Sequence, residues 1–412
     1  MNKKGASKRT PLPAMARSTP YAAGRVSKIP GPTMGRPSER YLAAGTRILA
    51  AVMRQHAKPL TIETLTLEPP RADEVLVRMV AAGVCHTDIA MRDERPDFPT
   101  PSILGHEGAG VVEQVGAGVH KVKRGDHVVL SLMSCGRCRF CQRGEPSYCD
   151  KQWALNFTCT REDGTLSAHG DEGGVRNHFF GQSSFATYSL ANERNVVKVP
   201  KSAPLRLLGP LGCGVQTGAG AVMNSLKVKA GESFACFGAG SVGLAAIMAA
   251  RLVGAAPIIA VDVVDERLRM AKRLGATNVI NAKERDPLPA IAKITSGSGL
   301  DYSLETSGLA AVFDQAVSAL GMRGTCAFVT AGVEPERTFD GRAFMARGKR
   351  IMGILEGDAV PDVFIPYLLG IHRQGRFPFD KLITFYPLRQ INRAFADSRS
   401  GKAIKPVVVF DS

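Results

Sequence analysis

The stretch CGRCRFCQRGEPSYC (residues 135–149), called here the four-cysteine loop, is the most concentrated group of chemically active side chains in the chain. Its spacing is C-x2-C-x2-C-x7-C, formed by Cys135, Cys138, Cys141 and Cys149. Such short separations let one loop wrap four thiolates around a tetrahedral ion, as structural zinc requires. Disulfides fit poorly, because two intervening residues close strained rings and no secreted cysteine framework accompanies them. An iron–sulfur cluster and four free thiols are the alternatives, although ferredoxins bring their fourth cysteine sooner and follow it with proline.

A second stretch, CFGAGSVG, contains the pattern G-x-G-x-x-G as Gly238, Gly240 and Gly243, called here the glycine loop. It follows a strand-like segment and opens a helical one, and Asp262 lies nineteen residues beyond its last glycine. The first glycine permits a tight turn, the second lets backbone approach a pyrophosphate, and the third lets helix pack on strand. Asp262 would bind the adenosine ribose hydroxyls and repel a 2′-phosphate, which predicts NAD, while Arg267 could serve a 2′-phosphate and weakens that preference. A glycine-rich turn without a ligand is the alternative.

Isolated cysteine and histidine residues occur in three other glycine-flanked segments, GVCHTD, GHEGAG and GCGVQTG. They contribute Cys85, His106 with the adjacent Glu107, and Cys213 as candidate metal ligands. These residues are too far apart in the sequence for their spacing to define a metal site. A lone cysteine is commonly a small buried hydrophobe, so a purely structural role stays open at this point.

The segments that must position these residues show two different patterns of predicted secondary structure. Residues 46–100 and 108–130 read as short β-strands, such as TRILAAVM and EVLVRMVAAG, separated by proline, glycine and polar turns. From about residue 214, apolar segments such as FACFG and PIIAVD alternate with helical stretches, which predicts βαβ units and a parallel sheet. The chain ends in AIKPVVVF, a predicted closing strand. The sequence thus predicts an α/β protein in which a β-rich domain is split around a doubly wound parallel-sheet domain.

Composition restricts the classes of protein to which the chain can belong. Its 412 residues, 44% hydrophobic and 22% charged, suffice for two globular domains. Residues 1–47 hold ten Lys or Arg and one acid, a net +9, so the other 365 residues carry only +7 of the total +16. This distribution argues against a nucleic-acid-binding body. Residues 1–45 are rich in Pro, Gly, Ser and Ala, which predicts a disordered basic tail that lacks the apolar segment of a secretory signal.

No membrane span is predicted. The eighteen uncharged residues between Glu232 and Arg251 contain the glycine loop, and a buried strand–turn–helix explains them better than a bilayer does. We therefore expect a cytoplasmic protein.

Taken together, these motifs resemble the zinc-dependent medium-chain alcohol dehydrogenases, from about residue 46 to residue 412. The resemblance implies a GroES-like catalytic domain at 46–213, a Rossmann NAD-binding domain at 214–347, and a return to the catalytic domain at 348–412. It implies two zinc ions per chain, a structural one in the four-cysteine loop and a catalytic one held by Cys85, His106 and Cys213. It also implies that Glu107 lies behind the catalytic zinc, as a carboxylate able to ligate it transiently.

The same resemblance implies roles for residues around these ligands. Asp88 would orient the histidine ligand, and Thr87 would hydrogen-bond the substrate oxygen. His86 and Lys405 would contact the cofactor phosphates. In familiar members of the family, the proton relay ends at a histidine three residues after the hydroxyl residue, where this chain has Ala90. The relay would then finish through water or another group.

Longer segments, among them HFFGQSSFATYSL and IPYLLGIHRQGRFPFDKLI, resemble the aryl-alcohol (benzyl alcohol) dehydrogenase branch. The implied reaction interconverts primary aryl or allylic alcohols and aldehydes by hydride transfer with NAD. A thiol-adduct (S-hydroxymethyl) formaldehyde dehydrogenase of the same family is the alternative within enzymes, and a nucleic-acid-binding zinc protein is the alternative outside them. The long segment between Cys149 and Phe185 looks like that of dimeric members, which implies a homodimer joined through the edge of the cofactor domain's sheet, or else a tetramer.

Overall fold

The computed structural model describes residues 45–330, 336–337 and 339–410. The tail predicted to be disordered, residues 1–45, lies outside this part of the chain except for its last residue. Within the described residues, no helix combines the length and the apolar character needed to cross a membrane.

Strands and helices alternate through most of the chain. In chain order, the strands are Thr46–Met53 (β1), Thr61–Leu67 (β2), Glu74–Gly83 (β3), Ser102–Ile103 (β4), Glu107–Val115 (β5), His127–Leu130 (β6), Ala168–Gly170 (β7), Gly173–Val175 (β8), Tyr188–Asn192 (β9), Val196–Val199 (β10), Phe234–Phe237 (β11), Ile258–Asp262 (β12), Asn278–Asn281 (β13), Leu300–Glu305 (β14), Leu320–Phe328 (β15), Arg350–Gly353 (β16), Ile383–Pro387 (β17) and Lys405–Val409 (β18). The α-helices are His86–Asp93 (α1), Arg139–Gln142 (α2), Gln152–Phe157 (α3), Leu205–Leu208 (α4), Gly214–Gly220 (α5), Ser241–Val253 (α6), Asp265–Leu274 (α7), Pro287–Ile294 (α8), Ala310–Ser318 (α9), Gly341–Arg347 (α10), Pro361–Arg373 (α11) and Ile391–Arg399 (α12).

The second half of the protein is built on a six-stranded parallel sheet. Its spatial order is β13-β12-β11-β14-β15-β16, with each neighbouring pair parallel. Numbered from β11, this is the order 3-2-1-4-5-6 of doubly wound dinucleotide-binding folds, in which the ligand crevice lies where the order reverses, beyond the carboxyl end of the first strand. The predicted parallel-sheet domain is confirmed, and its first strand leads directly into the glycine loop.

The β-rich half consists of a five-stranded sheet, β4-β1-β2-β7-β8, and a seven-stranded sheet. The second has the order β10-β6-β5-β3-β18-β17, with β9 also paired to β3. The closing strand β18 pairs antiparallel with β3, from Val407 opposite Gly83 to Val409 opposite Ala81. The chain therefore returns from the parallel-sheet half to the β-rich half.

Helix α1 departs from the prediction that residues 46–100 form only strands and turns. It begins after Cys85, whose backbone N–H donates to Asp88 Oδ2 at 3.0 Å. An acidic side chain in the first turn satisfies an amide that the helix leaves unpaired and favours the positive end of the helix dipole. The prediction was wrong for this segment. The hydrogen bond to Asp88 favours the start of a helix, and the segment has no strand-like alternation of apolar and polar residues that would favour a strand instead.

Candidate metal and cofactor sites

Three chain segments that are distant in sequence meet at one buried point. β3 ends at Gly83, directly opposite Glu107 at the start of β5, so the register of this strand pair brings Cys85 next to His106. Cys213 arrives separately, immediately before helix α5. One ligand atom from each of Cys85, His106, Glu107 and Cys213 lies within 4.8 Å of the other three. The structure therefore brings together the three ligands that the family resemblance implied.

The His106 imidazole has the orientation of a metal ligand. Its Nδ1 lies 3.1 Å from Asp88 Oδ1, while its Nε2 is buried and has no hydrogen-bond partner in the described structure. Asp88 is itself fixed, because it also accepts hydrogen bonds from the backbone of Cys85 (3.0 Å) and Gly105 (2.9 Å). A carboxylate on the far nitrogen is the usual means of orienting a metal-bound histidine. The buried, unpartnered Nε2 fits a zinc ion held with the two thiols.

The two thiols shift each other's pKa in opposite directions, and the pKa of Cys213 is raised well above the ordinary thiol range by its contact with Cys85 and by burial. A hydrogen bond from the Cys213 thiol, with the charges of His106 and Lys405, lowers the pKa of Cys85 well below the ordinary thiol range. The thiolate is the form of cysteine that binds metals. The contacts of Cys85 thus favour the form that binds a metal ion.

The Glu107 carboxylate is not free to turn toward this site, because the Lys405 ammonium binds both of its oxygens. The Lys405 ammonium donates to Glu107 Oε1 (2.9 Å) and Oε2 (3.0 Å), and the Gly214 backbone N–H donates to Oε1 at 3.1 Å. Burial raises the pKa of Glu107 to about 7, and the adjacent ammonium opposes that rise. A Cβ added to Gly214 would lie 3.3 Å from Lys405 Nζ and 3.6 Å from the hydroxyl of Ser241, the first residue of α6. Lys405 and the first residue of the helix that follows the glycine loop therefore both lie close to Gly214, the residue after Cys213.

The four-cysteine loop gathers its thiols without disulfides. One sulfur from each of its four cysteines lies within 4.8 Å of the others, and all four are free thiols. Backbone N–H groups point at the sulfurs, with Cys135 N and Lys151 N donating to Cys149 Sγ at 3.2 and 3.4 Å. Backbone hydrogen bonds from Cys141 and Asp150 lower the pKa of Cys138 to about 6. The donor set and its hydrogen bonds fit a structural zinc ion.

The three glycines of the glycine loop differ in what surrounds them. Gly238 has φ +100°, and a Cβ there would lie 2.4 Å from Thr306 Oγ1. A Cβ on Gly243 would lie 1.9 Å from the carbonyl oxygen of Gly238, whereas a Cβ on Gly240 would meet nothing within 4 Å. The first glycine therefore makes the turn, the third permits close packing, and the second faces open space at the start of a helix, where a phosphate group is favoured.

Asp262 ends β12 and lies against the glycine loop. Its carboxylate accepts hydrogen bonds from the backbone of Ala239 (2.6 Å), Val263 (2.7 Å) and Val264 (2.9 Å). The Arg267 guanidinium lies 3.9 Å from the same carboxylate, and its Nε lacks a hydrogen-bond partner among the described residues. The Asp262 carboxylate and the Arg267 guanidinium, which are predicted to affect the choice between NAD and NADP, therefore both lie near the glycine loop.

The other predicted residues lie on helix α1. Thr87 is half-buried, with its hydroxyl 3.8 Å from Cys85 Sγ, and His86 is exposed. Ala90 packs against the hydrophobic core of the β-rich half. That position therefore has no proton-exchanging group.

Two features beside the candidate metal ligands were not assigned by the sequence analysis. Phe180 stacks on the His106 ring (centroids 4.4 Å apart), Phe179 meets it edge-on at 5.4 Å, and Phe157 lies 5.2 Å from Phe180. The adjacent aromatics of HFFG are their sequence signal. The second feature is Glu356, a buried acid whose side chain accepts a hydrogen bond from Gln216. Its only sequence signal is a carboxylate that follows the apolar run MGIL.

Comparison with known proteins agrees with this architecture. Residues 71–201 match the alcohol dehydrogenase GroES-like domain, and residues 241–369 match the zinc-binding dehydrogenase family. A geraniol dehydrogenase from Castellaniella defragrans is 44% identical over 366 residues, which cover 88% of this chain and 97% of that protein.

Solved structures show the same relationship. An alcohol dehydrogenase zinc-binding domain protein from Burkholderia ambifaria is 53% identical, with a TM-score of 0.87 over 89% of this chain and all of that chain. The benzyl alcohol dehydrogenase of Acinetobacter calcoaceticus is 46% identical, with a TM-score of 0.86 over the same shares. The chain belongs to the zinc-dependent medium-chain alcohol dehydrogenases, and within them to the aryl-alcohol-like branch.

Proposed function

We propose that this protein interconverts primary aryl or allylic alcohols and their aldehydes, using a catalytic zinc ion and NAD. The observation that carries the proposal is the unpartnered, buried Nε2 of His106, which lies among the side chains of Cys85 and Cys213. Three protein ligands leave a zinc ion one open position, the arrangement of catalytic zinc sites. A second zinc ion, held by the four-cysteine loop, would be structural.

When bound, zinc would supply a positive charge that favours the deprotonated form of an alcohol and polarises an aldehyde carbonyl, and NAD would supply the hydride acceptor. The protein's own groups provide orientation and a proton path. Asp88 holds the His106 ring by its Nδ1, and the half-buried Thr87 hydroxyl lies where it can pass a proton outward. Since Ala90 cannot exchange a proton, the path from Thr87 would end at water or at another group.

Asp262 supports the choice of NAD. Its carboxylate stands at the end of β12 beside the open space at Gly240, where an adenosine ribose would follow a pyrophosphate. A 2′-phosphate there would be repelled by the carboxylate but attracted by Arg267. An Asp262→Ser variant is therefore expected to gain on NADP relative to NAD, measured as the ratio of kcat/KM values.

Two observations support an aromatic or allylic substrate. The rings of Phe157, Phe179 and Phe180 cluster against His106, so the surroundings of the metal ligands are apolar and aromatic. Phe180 holds its position with φ +52°, a conformation that residues with a Cβ adopt only when their surroundings enforce it. Planar unsaturated groups pack well on such rings, and the relatives described above include a geraniol and a benzyl alcohol dehydrogenase.

The proposal is tested by assaying purified protein with benzyl alcohol, cinnamyl alcohol, geraniol and ethanol, with NAD and NADP in parallel, while zinc per chain is quantified. We expect two zinc ions and NAD-linked turnover that prefers the unsaturated alcohols. A Cys213→Ser variant should lose one zinc ion and the activity, and Cys326→Ser, which removes a buried cysteine outside both clusters, should lose neither. Turnover of formaldehyde only in the presence of glutathione or another thiol would instead favour the thiol-adduct reaction. One zinc ion or none in the wild-type protein, never exposed to chelator, would refute the catalytic-site assignment.

We also propose that the protein is a homodimer, with a tetramer as the alternative. β16 is the terminal strand of the six-stranded sheet and has no second neighbour among the described residues. Met352 on β16 and Met322 on β15 are exposed apolar side chains near that edge. An exposed edge strand with apolar side chains favours pairing with another chain.

A further inference from the structure

Three consecutive residues between β16 and α11 have left-handed backbone conformations. They are Glu356 (φ +52°), Gly357 (φ +67°) and Asp358 (φ +49°). A residue with a Cβ is unfavourable in this region, and two such residues around one glycine form an uncommon turn. Strain of this kind persists only where surrounding contacts enforce it, and it is concentrated at functional sites.

Side chains from two other parts of the chain hold this turn. Asp358 accepts hydrogen bonds from the Ser225 hydroxyl (2.7 Å) and the Tyr148 hydroxyl (2.6 Å), and the Gly357 carbonyl accepts one from Asn224 Nδ2 (3.0 Å). Ser225 and Asn224 lie in the π-helical turn that continues α5, and Tyr148 immediately precedes the last residue of the four-cysteine loop. The turn is thus fixed both to the end of helix α5, which begins directly after Cys213, and to the four-cysteine loop.

The held turn places the Glu356 carboxylate inside the protein, beside Cys213. Gln216 Nε2 donates to Glu356 Oε2 (3.0 Å) and also to the Gly212 carbonyl (2.8 Å), which belongs to the peptide bond leading into Cys213. The hydroxyl of Ser131 donates to the same carbonyl at 2.7 Å.

We propose that Glu356 is a positioning residue for the metal ligand Cys213 and that it acts through Gln216. The left-handed turn holds the Glu356 side chain in the position that this role requires. The backbone of Cys213 is neither helical nor extended (φ −144°, ψ −85°), so helix geometry alone does not fix this ligand. Fixing the preceding peptide at its carbonyl oxygen restricts the direction in which Cys213 Sγ points. The inference rests on the proposed catalytic zinc, and it adds a determinant of that site outside its ligands.

The test is the rate of zinc release from the purified holoenzyme into excess chromophoric chelator at fixed pH. The phase that belongs to the catalytic site is identified by its absence in Cys213→Ser. Groups that orient metal ligands typically contribute 10–100-fold to metal affinity, so we expect Glu356→Ala to release this zinc about 10–100-fold faster while zinc in the four-cysteine loop is retained as in the wild type. Glu356→Gln keeps the size and one acceptor oxygen, and its release rate should lie between the two.

Matched variants separate positioning from general destabilisation. Glu74 is as buried as Glu356, both being 6% exposed, but its carboxylate binds Arg161 away from the metal ligands. Glu74→Gln should lower thermal stability without changing the release rate. Gln216→Met removes the bridge while leaving Glu356 in place, and it should reproduce the faster release even where Glu356→Ala fails to fold.

A cobalt(II)-substituted enzyme provides a second readout, since the thiolate-to-cobalt absorption of the catalytic site reports the direction of Cys213 Sγ. It should shift in Glu356→Ala and Gln216→Met but not in Glu74→Gln. Unchanged release and an unchanged cobalt spectrum in Gln216→Met and Glu356→Gln would overturn the inference. A wild-type protein that lacks the Cys213-dependent phase altogether would instead overturn the zinc proposal, and this inference with it.

Discussion

The same substitution at two glycines of one loop should have opposite consequences. A Cβ on Gly243 would lie 1.9 Å from the Gly238 carbonyl oxygen and 2.9 Å from Cys236 Sγ, whereas a Cβ on Gly240 would meet no atom within 4 Å. Ordinary contact begins at about 3.4 Å, so Gly243→Ala must separate strand and helix by about 1.5 Å. Gly240→Ala requires no movement, because the Gly240 backbone (φ −74°, ψ −169°) is open to any residue.

These distances set the expected magnitudes. Overpacking of this kind lowers the free energy of unfolding by about 1–3 kcal/mol, so we expect Gly243→Ala to lower the Tm by several degrees. In Gly240→Ala, the reduced freedom of the unfolded chain adds about 0.4–1 kcal/mol, and the poorer helix cap removes a similar amount. The Tm of this variant should therefore stay close to that of the wild type.

Cofactor binding should respond in the opposite order. A methyl group at Gly240 would occupy the space where a pyrophosphate approaches the helix amides. Losing one charge-assisted hydrogen bond weakens binding by about 1.5–3 kcal/mol, which corresponds to a Kd for NADH raised about 10–100-fold. Calorimetry without cofactor and NADH fluorescence titration measure the two quantities separately. A Gly240→Ala protein that melts as early as Gly243→Ala and binds NADH as tightly as the wild type would refute the assignment of this space to the cofactor.

Three further predictions concern other parts of the molecule. Asp88→Asn should weaken zinc binding about 10–100-fold at the site that contains His106 and leave the four-cysteine site unchanged, because the His106 ring loses the carboxylate that orients it. Equilibrium dialysis against a competing chelator measures this loss of affinity. Burial lowers the pKa of His178 to about 4, so between about pH 6.5 and pH 4 the unfolded chain takes up a proton that the folded protein does not, and stability falls as the pH is lowered. The loss approaches about 3 kcal/mol, and urea unfolding of His178→Gln should show a shallower decline across this range; an equally steep decline would contradict the assignment. Met352→Asp should convert the proposed dimer to monomers in sedimentation velocity, with Val363→Asp, an exposed position on α11, as a control that leaves the assembly intact.

The sequence was most informative where a site is contained in one short segment. Four cysteines within fifteen residues can reach one ion whatever the rest of the chain does, and the structure gathers their sulfurs within 4.8 Å. The glycine pattern between a predicted strand and a predicted helix likewise predicted the turn, the close packing and the open space found at its three glycines. Apolar segments alternating with helical ones were enough to predict the parallel sheet.

The predicted roles of single residues depended on contacts that spacing does not reveal. Lys405 was expected at the cofactor phosphates, and the structure shows its ammonium bound to Glu107, 298 residues away in sequence, beside the start of the helix that follows the glycine loop. A phosphate contact for Lys405 stays a prediction. Helix α1 was missed, because its start depends on one side chain, Asp88, that serves the helix and the histidine ligand together.

What the sequence determined by itself was therefore the local chemistry: a thiol-rich loop, a nucleotide-binding turn and the two kinds of layer that carry them. Only the tertiary structure decided that Cys85, His106 and Cys213 meet, since 128 residues separate the first from the last and the pairing of β3 with β5 brings the first two together. It also decided that Glu356, in a left-handed turn after the sixth strand of the cofactor sheet, is linked through Gln216 to the peptide that precedes Cys213. The physical reason is that short-range patterns fix only what neighbouring residues can reach, while strand register and side-chain packing fix which distant residues share one buried site.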